Sequence, residues 1–333
     1  MKIRPLLQVC CLALLPVVAT AAEYAETRYP IVMAHGFTGA ERYLGLVDYW
    51  YGIKQRLAQY GNDQVYTPTL SAVAGEDIRV VQLEQTIDRI ALETGAEKFN
   101  LIGHSQGTYT VRAYAALHPE RVASLTVIGA PARGSKLADA VWMLSESVGS
   151  VLPAVRDAIY KLVEYLGWLQ GKSNGLDLDQ NGRTALYLST TAGSLAFART
   201  VSDAGFNADC NGPMATDASG TLTDADGNVI QWRYPVYSWV GRGAPVSLSR
   251  SGEDLFDITG HVFSLAYYAN KLLGEGDNDG VVSACGARLG QVISDRYYWS
   301  HFDEVNQLFG LTPDVDPRTV FVIHANRLQQ QGF

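Results

Sequence analysis

Read for its hydrophobic and polar pattern, the chain alternates short apolar runs with amphipathic stretches through its first half. "YPIVMAHG" (Tyr29–Gly36) is an apolar run ending in glycine, and the amphipathic "YWYGIKQRLAQYG" follows it. "QVYTPTL" predicts a second strand, and "EDIRVVQLEQTIDRIALETG" a helix stopped by Gly95. "KFNLIGHS" predicts a third strand, "QGTYTVRAYAALHP" its helix, and "SLTVIGAP" (Ser124–Pro131) a fourth strand. Strands and helices alternating at this interval imply βαβ units and a mostly parallel sheet covered on both faces. Such sheets carry their ligand sites at the carboxyl ends of the strands. There the sequence places His35-Gly36, Ser105 and Pro131.

The alternation stops after residue 131. Val141, Leu144, Val148, Val151, Val155, Ile159, Leu162, Leu166 and Leu169 recur at spacings of three and four, a helical apolar stripe. Pro153 predicts the start of the main helix, because proline is tolerated in a first turn. The stripe is either the inner face of an ordinary core helix or the underside of a lid turned toward lipid. Further on, Asp226-Gly227-Asn228 reads as a hairpin turn, and "YPVYSWVG" (Tyr234–Gly241) as a return to the sheet.

Composition narrows the class. With 333 residues, 47% apolar and 18% charged, the chain can bury a full core. Lys2 and Arg4 precede an apolar stretch from Leu6 to Val18, and Ala19-Thr20-Ala21 supplies the small residues of a cleavage site. Residues 1–22 are therefore expected to be a signal peptide, leaving 23–333 as a single domain. That removal takes two cations and no acid, moving the formal charge from −8 to −10, which argues against nucleic acid as a partner. Cys10 and Cys11 leave with the signal. Cys210 and Cys285 remain, so one disulfide is the default expectation in an oxidising compartment.

Gly103-His104-Ser105-Gln106-Gly107 has the spacing G-x-S-x-G between a predicted strand and a predicted helix. In that context the serine is a candidate nucleophile on a sharp turn. A hydroxyl needs a base to take its proton, and the base needs an orienting acid. The oxyanion needs two N–H donors, expected from Gln106 and from Phe37 in "HGFTG". The acid should lie between the serine and the base: "GDNDGVVSAC" offers Asp277 and Asp279, while His261, His301 and His324 are the open choices of base. Two stretches imitate calcium loops, "DLDQNG" and "EGDNDG", but their twelfth positions are Leu188 and Gly286 instead of glutamate.

Taken together, "YPIVMAHGFTG", "VDYWYGI", "NLIGHSQG", "NDGVVSAC", "HFDEVNQLFGL" and "HANRL" give a sequence that resembles the secreted, foldase-dependent triacylglycerol lipases of the Pseudomonas and Burkholderia type. The resemblance spans residues 29 to 328. It implies an α/β-hydrolase fold, Ser105 as nucleophile, Asp279 as acid, His301 as base, and a helical lid at about residues 135–205. It also implies one structural Ca²⁺ held by the carboxylates of Asp257 and Asp303 and the backbone carbonyls of Gln307 and Leu311, with Glu253 and Asp254 of "SGEDLFDITG" as alternatives to Asp257, and Cys210 paired to Cys285. A secreted enzyme acting at a triglyceride interface, folded with a membrane-anchored foldase, follows from the same likeness. One departure is Thr108, where many members carry a second glycine.

Overall fold

The structure is a computed structural model and describes residues 23–201, 205–243, 258–307, 309–311 and 315–333. The expected signal peptide and Asp257 lie outside the described residues. In chain order the strands of the main sheet are β1 (Ile31–Ala34), β4 (Val65–Tyr66), β5 (Phe99–His104), β6 (Val122–Ile128), β7 (Asp217–Thr223), β8 (Val229–Gly241) and β9 (Gln291–Tyr297). β2 (Arg42–Tyr43) and β3 (Val47–Asp48) form a small separate hairpin. The main sheet runs β4-β1-β5-β6-β8, with β9 parallel to β8 and β7 antiparallel to it. All other pairs are parallel. The predicted mostly parallel α/β sheet is therefore the observed one.

Two apolar layers cover the sheet. On one face α2 (Glu76–Thr94) and α3 (Gly107–Leu117) bring Leu83, Ile87, Val111 and Tyr114 against Val32, Ala34, Leu101 and Val127. On the other, α1 (Ile53–Gln59) and α9 (Pro317–Gln330) bring Ile53, Leu57, Val320 and Phe321 against Ile31, Met33, Ile102 and Trp239. Residues 31 to 34 thus alternate between the two cores, as strand geometry requires. Each large side chain so buried contributes about 1.5–3 kcal/mol, and Phe321→Ala would cost about 3–5 kcal/mol. α2 ends where expected: Gly95 adopts φ 72° and its N–H closes on the Ala91 carbonyl at 2.8 Å.

β8 has two lives. Its outer half alternates in burial and pairs with β7 across the turn at Gly227 (φ 85°), while residues from Tyr234 onward are buried and enter the parallel sheet. Between β6 and β7 the described residues form four helices, α4 (Lys136–Val151), α5 (Pro153–Ser173), α6 (Gly182–Ser189) and α7 (Thr191–Thr200). Pro153 occupies the first turn of α5. The apolar stripe of α4 and α5 is not a core face: Leu144 is 66% exposed, Val151 77% and Leu166 57%. No helix among the described residues is long and apolar enough to cross a membrane.

Candidate active site

β5 ends at His104, α3 begins at Gly107, and the turn between them carries Ser105 at φ 54°. A non-glycine residue held there stores about 1–3 kcal/mol, so the surroundings must enforce it. They do. The Ser105 N–H donates to the Ile128 carbonyl at the end of β6 (2.9 Å), and the Ser105 carbonyl accepts the Thr108 N–H (3.0 Å). Gly107 lets the helix start close against β1: a Cβ there would stand 2.1 Å from the Ala34 carbonyl oxygen.

The candidate acid and base meet from the far end of the chain. Asp279 and His301 are both buried, with Nδ1 of His301 2.7 Å from Oδ2 of Asp279 and the His301 N–H donating to the Asp279 carbonyl at 2.8 Å. The other carboxylate oxygen of Asp279 accepts the N–H groups of Val281 (2.7 Å) and Val282 (2.8 Å). Asp279 thereby takes Nδ1–H and leaves the lone pair on Nε2, which is buried and has no hydrogen-bond partner among the described residues. The ring lies at the end of β6: a Cβ on Gly129, next to the residue that holds Ser105, would be 3.0 Å from its Cε1. Asp277, the other acid in that loop, instead pairs with Lys271 at 3.1 Å on the surface. His324 is buried on α9 against Thr126 and Trp239, and His261 is exposed.

Phe37 follows β1 in the loop His35–Gly39, and Gln106 begins the turn into α3. No described acceptor takes the N–H of either residue, so both are available as donors. Loop and elbow touch directly: a Cβ on Gly36 would lie 2.7 Å from Cβ of Ser105.

Several polar side chains at this site were given no role by the sequence. Tyr49 accepts the Gly36 N–H (2.9 Å) and donates to Nδ1 of His104 (2.6 Å). His104 in turn reaches the His301 carbonyl and Oε2 of Glu304, each at 3.1 Å. Burial, with the neighbouring His301, holds the His104 pKa well below the usual range, so this link is a neutral ring. Glu304 accepts the Gly241 N–H at 2.6 Å, and burial followed by the Asp279 charge pushes its carboxyl well above the usual range. Its place beside Asp303 in "HFDEVNQLFGL" was the available signal. Arg79, fully buried on α2, donates to the His35 carbonyl at 2.6 Å and to the Ser71 carbonyl. His35 is itself a structural acceptor, taking the Leu70 N–H at 2.9 Å, with a pKa lowered to about 3 by burial and by Arg79.

Past His301 the chain turns back on itself: the Gln307 N–H donates to the Phe302 carbonyl at 2.9 Å, with Asn306 at φ 64°. This turn brings Asp303 and Gln307, both buried, beside the base; Leu311 lies four residues further on, half-buried. His104, His301 and Glu304 offer ligand atoms within 4.8 Å of one another, and His301 among them is the candidate base. Cys210 and Cys285 are joined in a disulfide, their Cα atoms 5.4 Å apart, six residues beyond Asp279.

Residues 29–152 match a family described as the alpha/beta hydrolase fold. The chain is 36% identical to the triacylglycerol lipase of Burkholderia plantarii, over 95% of this chain and 90% of that protein. It is 37% identical to the triacylglycerol lipase of Pseudarthrobacter phenanthrenivorans, over 94% of this chain and 100% of that protein. Lipase 1 from Pelosinus fermentans shares the fold at a TM-score of 0.54 and 17% identity, covering 91% of this chain and 99% of that one. Identity above a third over nearly the whole length, together with a matching fold, leads to one assignment: the chain belongs to the triacylglycerol lipase family, built on the α/β-hydrolase fold.

Proposed function

We propose that the protein hydrolyses long-chain acylglycerol esters at a lipid surface through an acyl-enzyme on Ser105. The observation that carries this reading is His301, whose Nδ1 is fixed on Asp279 at 2.7 Å while its Nε2 stays free at the end of β6 beside the serine turn. His301 Nε2 takes the hydroxyl proton as Ser105 Oγ attacks the ester carbonyl. The N–H groups of Phe37 and Gln106 hold the oxyanion that forms. His301 then gives its proton to the leaving glycerol oxygen, and water, deprotonated by the same nitrogen, releases the fatty acid. Asp279 holds the tautomer throughout and steadies the transient imidazolium.

Residues of about 135–205 form the lid in this reading. Its exposed apolar stripe supports a lipid surface as the partner, since contiguous exposed apolar faces of this kind mark interaction surfaces. Between α4, α5 and α6 lies a cleft of about 400 Å³ with Phe37 in its wall and Val141, Leu144 and Ile159 among its lining, dry enough for an acyl chain.

The implied Ca²⁺ fits the residues present. Asp303 is a buried carboxylate in the turn that follows His301, and the expected donors, two carboxylates and two backbone carbonyls, are all oxygen. Asp303, Gln307 and Leu311 would hold the ion with Asp257, and bound there it supplies a tether for the His301 turn. Export as a secreted protein after loss of residues 1–22, and folding with the membrane-anchored foldase of this family, complete the reading; the disulfide is in keeping with an oxidising destination.

The test compares Ser105→Ala with the wild type on emulsified triolein. Loss of turnover with an unchanged melting curve is expected, and wild-type activity in the variant overturns the mechanism. Comparing tributyrin with triolein above their solubility limits distinguishes a lipase from a short-chain esterase.

A further inference from the structure

The segment Asp177–Gly182, whose acids imitate a calcium loop, does a different job. Its residues 179–181 bind the strap Ser71–Gly75 that leads into α2. The Ser71 hydroxyl donates to the Asp179 carbonyl (2.5 Å), the Val73 N–H to Oε1 of Gln180 (2.9 Å), and the Asn181 N–H to the Val73 carbonyl (2.6 Å). α5 closes on the same point through Gly167, where a Cβ would stand 2.7 Å from Cγ2 of Val73 and 2.8 Å from Oε1 of Gln180.

The strap in turn holds both halves of the oxyanion hole. The Ala72 carbonyl accepts the Thr38 N–H at 2.8 Å, and the Ala74 carbonyl accepts Nε2 of Gln106 at 2.5 Å. Thr38 sits at φ 60°, an outlier for a β-branched residue, and its N–H belongs to the peptide that joins it to Phe37, one Cα away from the Phe37 N–H. Such a backbone keeps its conformation only while its neighbours over-determine it. Release of Ala72 would let the Phe37–Thr38 peptide rotate, and the compensating change in the Phe37 dihedrals would swing the adjoining Gly36–Phe37 peptide, and with it the Phe37 N–H, off the carbonyl.

We infer that Gln180 is a positioning residue for catalysis: by accepting the Val73 N–H it fixes the strap, and through Ala72 and Ala74 it sets the two oxyanion donors. The inference rests on the oxyanion hole proposed above. Gln180 touches no reacting atom.

The experiment measures kcat and KM on soluble p-nitrophenyl butyrate, per active serine counted by titration with a p-nitrophenyl alkylphosphonate. Counting active serines removes any loss due to misfolding. Gln180→Met removes the acceptor at similar size; kcat per titrated serine should fall about 10-fold with KM within about 2-fold, since small misplacements in a reacting geometry cost up to about 100-fold. Gln180→Glu keeps the acceptor oxygen and should recover most of the loss. Gly167→Ala, which pushes on Val73 and Gln180 from the other side, should show the same selective loss in kcat and serves where Gln180→Met does not fold. Wild-type kcat per titrated serine in Gln180→Met, or in Gly167→Ala where that variant stands in for it, overturns the inference, as does an equal loss in Gln180→Glu. Failure of the wild type itself to react with the phosphonate instead overturns the Ser105 assignment.

Discussion

The Tyr49 hydroxyl stands 2.6 Å from Nδ1 of His104. Because the same oxygen accepts the Gly36 N–H, it joins the loop that carries Phe37 to His104, the residue preceding Ser105. His104 then passes the link on to the His301 carbonyl. The Phe37 loop, the serine turn and His301 are thus three ends of one buried chain of hydrogen bonds.

Tyr49→Phe keeps the ring and deletes the link. It leaves a buried N–H and a buried imidazole nitrogen without their partner, which should lower stability by about 1–3 kcal/mol. The loss should also fall on kcat more than on KM, because Gly36 packs on Ser105. Urea melts together with butyrate kinetics check both; an unchanged kcat would restrict Tyr49 to a packing role.

Asp279→Asn should be far more damaging than its size suggests. The N–H groups of Val281 and Val282 both point at Oδ1, so an asparagine oxygen must stay there. Its NH₂ group then faces Nδ1 of His301 and forces the proton onto Nε2, the nitrogen that must accept from Ser105. Loss of kcat of about 10³- to 10⁴-fold is expected from a wrong tautomer of this kind. Single-turnover kinetics should show slow acylation, and a loss below 10-fold would mean that Asp279 is not the orienting acid.

The first half of the sheet was legible because β1, β5 and β6 are buried on both faces and read as continuous apolar runs. β9 was not: "QVISDRY" mixes Asp295 and Arg296 into a partly exposed edge strand, and its period is lost. β4 shrank to Val65–Tyr66 because Pro68 cannot donate to a ladder. α4 and α5 show an apolar stripe, yet the stripe cannot say whether it meets protein or solvent. The serine turn was readable locally, but choosing Asp279 over Asp277 depends on which carboxylate is buried. Arg79 carries no pattern, and Tyr49 and Glu304 show only as members of the motifs "VDYWYGI" and "HFDEVNQLFGL", since the value of all three lies in contacts across distant stretches of chain.

Calcium removal should act on stability and activity together. If the ion ties the His301 turn through Asp303, Gln307 and Leu311, chelation should lower the melting temperature and slow turnover in parallel. At calcium 100-fold above its dissociation constant the ion adds about 2.7 kcal/mol. Asp303→Asn should melt lower in calcium and lose its response to a chelator. Differential scanning calorimetry with and without EDTA decides, and identical thermograms would remove the metal from this account.

Acid should destabilise the fold through histidines buried in neutral form. His324 has its pKa lowered to about 3, first by burial and then by the Arg327 guanidinium on its own helix. Arg327 donates to Nδ1 at 2.9 Å, Nε2 donates to Thr126 at 2.9 Å, and Tyr237 and Trp239 close the site from β8. The folded value lies below the unfolded one of about 6.5, so the unfolded chain gains a proton first as pH falls. The stabilising effect is complete above pH 6.5 and is lost progressively toward pH 3. At pH 5 the loss from this residue is about 2 kcal/mol. His35, lowered to about 3 by burial and Arg79, adds a similar amount. His324→Gln keeps one donor and one acceptor but cannot take the proton. Its urea midpoint should therefore fall less between pH 7 and pH 5 than that of the wild type, and parallel falls in the two proteins would show that His324 titrates normally.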